Sequence, residues 1–303
     1  NNWQSVAYGN GVWVAVAGCD YVSYPLGCSG TNPVMRSIND GESWDPVNVA
    51  ANNWQSVAYG NGVWVAVAGD LTNRVMRSTD DGVSWILPVE ASAAESHNWR
   101  SVAYGNGVWV AVAQAGTFGL PDNRVIRSTD DGASWSAVNV VRNSWRSVAY
   151  GNGVWVAVAN GSSVKFGGDL KHVMRSTDDG ASWSAVNVAA NKWVSVAYGN
   201  GVWVAVSSDG TDRVMRSTTD GVSWDPVNVA ANYWFSVAYA NGVWVAVAQS
   251  GTNNRVMRST TDGVSWDPVN VAANSWFSVA YGNGVWVAVS WDGKVMRTPD
   301  APA

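Results

Sequence analysis

Seven segments of one pattern run along this chain: W-x-S-V-A-Y, then Asn-Gly, then V-W-V-A-V, opening at Trp3, Trp54, Trp99, Trp145, Trp193, Trp234 and Trp276. The steps between them are 51, 45, 46, 48, 41 and 42 residues. A unit of this length built from several short strands cannot bury its apolar faces alone, and stacking copies around an axis is the standing solution. The repeat therefore predicts a single all-β domain over residues 1–303: a seven-bladed β-propeller of near-identical four-stranded blades beginning near 3, 54, 99, 145, 193, 234 and 276.

Residues 54–98 serve as the type unit. Asn61-Gly62 between two apolar runs is the signal of a two-residue hairpin, because a type I′ turn needs positive φ at both central positions. The preceding Gly becomes Ala240 in the sixth unit, so the positive φ values belong to Asn and the second Gly. In the second strand Trp64, Ala66 and Ala68 alternate with Val63, Val65 and Val67, leaving neither face polar. Such a strand is buried on both sides, as blades stacked face to face require. A loop and a third strand, Arg74 to Ser78, lead to a turn and a fourth strand extending to about Val89. The chain carries 21 Trp against 4 Phe. Seven Trp open the units, seven sit in second strands (Trp13, Trp64, Trp109, Trp155, Trp203, Trp244, Trp286) and six follow the third strand; Trp291 stands alone. This locking to the repeat points to packing. The last unit stops at Arg297-Thr298-Pro299-Asp300, giving 27 strands, one short of 28. Either the seventh blade has three strands, or the missing strand lies outside residues 1–303 or comes from another chain; an exposed third strand is an association edge. The expectation is a monomer with some capacity for edge-mediated self-association.

The turn after the third strand reads S-x-D-x-G-x-x-W at Ser78–Trp85, Ser128–Trp135 and Ser176–Trp183. Asn39, Thr219 and Thr261 replace the Asp in three further copies. With these motifs the chain resembles the Asp-box (BNR-repeat) propellers, a group that includes sialidases and sortilin-type receptors. The resemblance covers essentially the whole chain and implies a structural turn. Asp80, Asp130 and Asp178 would accept backbone hydrogen bonds, and Trp44, Trp85, Trp135, Trp183, Trp224 and Trp266 would tuck under the hairpin. Sialidases hold a carboxylate with three arginines and use a Tyr nucleophile assisted by Glu. Here only Glu42, Glu90 and Glu95 are present, clustered in or near the first two units. Seven arginines recur, but each precedes the Asp-box (Arg36, Arg77, Arg127, Arg175, Arg216, Arg258, Arg297) and reads as a blade-edge partner of an acidic turn. The expectation is a protein without enzymatic activity and without a catalytic set.

The net charge of −5 argues against nucleic acid, whose binding rests on Lys and Arg neutralising phosphates. No apolar run reaches the length of a membrane span. His97 and His172 lie in different loops without metal-ligand spacing and read as solvated; no metal or cofactor is expected. Cys19 and Cys28 share one loop of the first unit. A disulfide between them, implying a secreted or cell-surface setting, is the favoured reading, and two free thiols the alternative. The chain opens at Asn1 without Met or signal peptide, as a mature or trimmed product does.

Function must lie where the copies differ. The 1–2 and 3–4 turns, on one face of the disc, are nearly invariant; the 2–3 loops and interblade links, on the other, vary widely. A second variable ring follows each leading Trp: Gln4, Gln55, Arg100, Arg146, Val194, Phe235 and Phe277. These residues open the innermost strands and should encircle the axis near the variable face, with a polar arc and an aromatic arc; drift at a tolerant position is the alternative. Three functional readings follow. The first is a multivalent, lectin-like carbohydrate binder whose leading tryptophans stack on sugars in interblade clefts, gaining by avidity. The second is a protein-binding scaffold using the variable face. The third is a glycoside hydrolase or sialidase.

Overall fold

The structure is a computed structural model, and it describes residues 2–21, 28–29, 32–69, 74–88, 97–114, 124–161, 171–251 and 254–298. Seven antiparallel sheets follow one another around an axis. The first is built from Asn2–Gly9, Val12–Gly18, Val34–Ser37 and Asp45–Val47. Blades 3 to 6 repeat this four-stranded order. The seventh holds three strands, Trp276–Gly282, Val285–Ser290 and Val295–Arg297. A two-stranded hairpin, Asp20–Tyr21 with Cys28–Ser29, stands in the 2–3 loop of blade 1. The Cys19–Cys28 pairing rests on the Cys28 side chain, which lies outside the described residues.

Blade 2 corrects the expected strand total. Its fourth strand is reduced to one bridge, Arg77 with Ile86, so 26 strands rather than 27 form the blades among the described residues. Arg77 and Ile86 exchange both backbone hydrogen bonds. The next pair along an antiparallel ladder exchanges none, and the one after that must again exchange both. That third place falls to Pro88, which has no N–H to give. In blades 1, 5 and 6 proline sits one position earlier, opposite Met35, Met215 and Met257, where no N–H is needed.

Each interblade layer joins the valine face of one second strand to the Trp–Ala face of the next. Val12, Val14 and Val16 pack on Trp64, Ala66 and Ala68. The ring closes in the same way, with Val285, Val287 and Val289 on Trp13, Ala15 and Ala17. At the turns, Asn10 and Gly11 have φ of 50° and 78°, and the six other copies match them. The first Gly of Gly-Asn-Gly does not need positive φ. It is small for another reason: a Cβ on Gly9 would stand 2.1 Å from the ring of Tyr59 in the next blade.

Polar contacts tie the conserved face together. Asn10 Nδ2 donates to the Asp81 carboxylate at 3.0 Å, and Asn61, Asn106, Asn152, Asn200 and Asn283 do the same to the next blade's turn. Arg36, Arg127, Arg175 and Arg216 donate through Nε to the carbonyls of Asp81, Asp179, Asp220 and Asp262. These arginines do bridge blades at the turns, but their partner is the backbone rather than the acid. Among the described residues, Arg297 is the one of these seven arginines that pairs with a carboxylate, Glu42 of blade 1, at 3.2 Å.

Inside the turn, Asp80 Oδ1 accepts from the Ser84 N–H at 2.9 Å and the Ser78 hydroxyl at 2.7 Å, and Trp85 Nε1 donates to the Gly82 carbonyl. Asn39 and Thr219 keep the backbone bond, accepting from Ser43 and Ser223 at 3.0 Å. The Ser182 hydroxyl, with further hydrogen bonds, holds Asp178 at about 2 instead of 3.8. At Asp80 and Asp130 desolvation is the largest single influence and pushes upward, but the hydrogen bonds from Ser84 and Ser78, and from Ser134 and Ser128, together outweigh it, so both also lie low. A carboxyl lowered by folding adds stability that is complete above its unfolded pKa and disappears as pH falls through the folded one. Urea midpoints are expected to be level above about pH 4 and to fall towards pH 2. Asp178→Asn should flatten that fall; midpoints with the same pH slope in both proteins would contradict this.

Candidate functional site

Each innermost strand carries a bulge, and the bulges create the site. Trp3 pairs with Ala17 and Ser5 with Val16, so Gln4 is an extra residue outside the ladder. The register shift recurs after Trp54, Trp99, Trp145, Trp193, Trp234 and Trp276. A bulge re-aims the side chain of the inserted residue. Gln4, Gln55, Arg100, Arg146, Val194, Phe235 and Phe277 thus converge on one axial throat of about 130 Å³. It opens into a mouth of about 500 Å³ bordered by Gly18, Asn53, Gln249 and Trp291, on the variable face. All seven residues of the variable ring therefore meet where the sequence placed them.

Beneath them runs a serine ring that sequence reasoning passed over. Ser5 Oγ accepts from the Val57 N–H of the next blade at 3.3 Å, and Ser56, Ser101, Ser147, Ser195 and Ser236 repeat the bond. Ser278 closes the circle by accepting from Val6 at 3.2 Å. The signal was present, as the third residue of W-x-S is invariant, but invariance in a repeat reads as packing. This ring fixes the backbone from which the bulged side chains project.

The mouth has two chemically distinct arcs. On one side Arg100 donates to Gln55 Oε1, and Gln55 Nε2 donates to Asn53 Oδ1 at 2.7 Å. Arg146 reaches Gln114 Oε1 at 3.3 Å and lies 5.8 Å from the centroid of the Phe235 ring. Burial, and then the charge of Arg100, hold the Arg146 guanidinium down at about 10. Among the described residues no carboxylate pairs with Arg146. On the other side Phe235 and Phe277 have centroids 4.5 Å apart, and Trp291 follows at 5.4 Å from Phe277. Trp291 is 45% exposed. It is the one indole outside the repeat, and that exception is the sequence signal that should have joined it to the site.

The leading tryptophans are not part of the surface. Trp3, Trp54, Trp99, Trp145, Trp193, Trp234 and Trp276 are between 0 and 6% exposed, sealed between blades. Four of their indole N–H groups are spent on the interblade link, as in Trp145 to the Val141 carbonyl at 3.1 Å. Their faces are unavailable to a ligand, which corrects the expectation that they serve as sugar platforms. The histidines are corrected too. Both are buried, His97 against Trp99 and His172 beside the Ala159 carbonyl, with burial pushing the His172 pKa down. The described residues contain no group of three or more His, Cys, Asp or Glu arranged to hold a metal, and no helix long and apolar enough to cross a membrane.

No family model and no curated protein matches the sequence. Solved structures do match in shape. YCF48 bound to D1 peptide superposes with a TM-score of 0.68 at 14% identity, covering 98% of this chain and 91% of that one. Virginiamycin B lyase from Staphylococcus aureus gives 0.71 at 12% identity, covering 97% and 93%. The computationally designed Ika8 protein gives 0.62 at 10%, covering 98% and 95%. At such identities the likeness is one of fold.

Proposed function

We propose that this protein is a non-enzymatic binding propeller of the Asp-box type that holds a peptide segment of another protein at its axial mouth. The observation that carries the reading is the convergence of the seven variable residues, through seven bulges, into one cavity split between cations and aromatics. The Arg146 guanidinium, desolvated and beside the charge of Arg100, is favoured by a counter-charge. A carboxylate from the ligand, a side chain or a chain end, supplies it through charge-assisted hydrogen bonds. Phe235, Phe277 and Trp291 then take the neighbouring apolar side chain. That one structural neighbour holds a peptide supports this reading over a multivalent sugar binder, whose indole platforms are buried here. An extracellular setting, suggested by the two-cysteine loop, goes with it.

Selection from a displayed random-peptide library tests the proposal. Recovered peptides should place Asp, Glu or a free carboxyl terminus beside an aliphatic or aromatic residue. Losing a hydrogen bond to a charged group is worth about 1.5–3 kcal/mol, so Arg146→Gln should weaken binding about ten- to hundredfold. Trp291→Ala should weaken it as well. Peptides that bind both variants as tightly as the parent would sink the reading, and a glycan whose binding is lost in both variants would hand the mouth to carbohydrate.

A further inference from the structure

The throat below the mouth is walled by hydrogen-bond donors. Six of the ring serines, Ser5, Ser56, Ser101, Ser147, Ser195 and Ser236, line it beneath the bulged side chains. Each spends its hydroxyl oxygen as an acceptor, on a backbone N–H of the next blade at 3.1–3.3 Å. A serine hydroxyl also carries one proton to donate. Among the described residues none of the six gives that proton to a protein acceptor. With the oxygen engaged by the neighbouring strand, the O–H is free to turn towards the axis. Accepting the N–H also polarises the hydroxyl and strengthens it as a donor.

Charge gives the throat the same polarity. Arg100 and Arg146 directly precede Ser101 and Ser147, and both line the same cavity. Arg146 makes one long hydrogen bond, 3.3 Å to Gln114 Oε1, so most of its donors remain to be used. No carboxylate lines the throat or the mouth, although Asp and Glu outnumber Lys and Arg in the chain by 23 to 18. The acids of the repeat, Asp81 and its copies, sit in the turns of the opposite face. An acidic protein thus carries on its axis a well lined by hydroxyl donors and flanked by two cations. The blades close it laterally, and it opens into the mouth. At about 130 Å³ it has room for an ion of a few heavy atoms.

We propose that the throat is a binding site for a small free oxyanion, a carboxylate of formate or acetate size, seated on the axis. One of its oxygens accepts from the guanidinium groups of the Arg100–Arg146 arc, and the other accepts from the serine hydroxyls beside them. The planar guanidinium fork matches a two-oxygen anion and has no such match with a halide. The proposal rests in part on the reading of the mouth, since a ligand's own carboxylate would use the same donors. A free anion needs no peptide, so the two can fail separately: peptides selected at the mouth without anion binding in the throat would sink this proposal alone.

The probe is sodium formate, titrated into the 303-residue chain in exchange for sodium chloride at constant ionic strength, and followed by broadening of the formate proton resonance. One saturable site per chain is expected, and saturation against chloride marks a preference for carboxylate. Ser101→Ala and Ser147→Ala each remove one hydroxyl beside the arginines and should each weaken binding about tenfold. Each also leaves a backbone N–H without its acceptor, that of Val148 or Val196. Ser278→Ala controls for that cost. Ser278 accepts from the Val6 N–H at 3.2 Å in the same way but does not line the throat. It should lower the urea midpoint as the other two do and leave formate affinity unchanged. Absence of saturation at high millimolar formate would overturn the proposal. Unchanged affinity in Ser101→Ala and Ser147→Ala would assign any binding to the arginines alone and overturn the serine cradle. Equal weakening by Ser278→Ala would reduce the effect to backbone order and overturn it too.

Discussion

Trp109→Ala is expected to cost about 3–5 kcal/mol, the range for deleting a buried Trp side chain, and to lower Tm on the order of 10 °C. Trp109 is fully buried on the second strand of blade 3, with Val63, Val65 and Val67 of blade 2 in the same cluster. Its ring is also tilted against Tyr104 at 5.0 Å. The sheet on either side is held by its own ladder and by the serine ring, so the hole cannot collapse and the cavity penalty is paid nearly in full. The same substitution at Trp286 is the internal control. That residue occupies the equivalent place in blade 7 but lines a cavity between blades 6 and 7 and is only partly buried. Its loss removes less burial and enlarges an existing cavity, so Trp286→Ala should cost less than half as much. Equal shifts in urea midpoint for the two variants would mean that the indoles do not owe their contribution to interblade burial.

That contrast marks what the sequence could and could not convey. The blade count, the hairpins and the two-sided apolar strands were legible because each is a local pattern written seven times. Trp64, Ala66 and Val65 announce their faces by period alone. The axial position of Gln4 through Phe277 was legible from order along the chain, since the first strand of a blade is innermost. The bulge that turns them inward was not, because an inserted residue looks like any other until its partner strand is known. Burial of His97 and His172 was missed for a related reason: both sit next to loops, and a loop position says little about whether the next blade covers it. The loss of blade 2's fourth strand hinged on Pro88 falling one residue later than Pro46, Pro226 and Pro268, a difference visible only against the ladder's alternation. The leading tryptophans were read correctly as repeat-locked, yet their use as ligand platforms ignored that a residue serving every interface alike is closed off by it.

Gly105→Ala is the smaller change in atoms and the sharper test of that closure. The residue needs no positive φ, so a Cβ is conformationally harmless to the backbone itself. It would nevertheless stand 2.1 Å from Tyr150 Cγ of the next blade, and the tyrosine must move. Forcing a group into a packed interior costs about 1–3 kcal/mol. The sequence has performed the experiment once. Ala240 takes the glycine's place in blade 6, and there the facing Tyr281 meets Trp286 at 61°, against 50–54° in the six other pairs. Its hydroxyl also accepts from Asn241 at 2.6 Å, where the Asn residues of other blades reach the next turn's acid. Among the described residues no turn follows the third strand of blade 7 to hold its tyrosine in place. Blade 4 has its turn, with Asn106 bonded to Asp179, so Tyr150 lacks that freedom. The expected result is therefore asymmetric. Gly105→Ala should lower the urea midpoint by the equivalent of about 1–3 kcal/mol. Ala240→Gly should change stability by less than about 1 kcal/mol, relief of the ring being set against the greater chain entropy of glycine. A neutral Gly105→Ala would show that the facing tyrosine yields without cost and that the close approach does not require glycine.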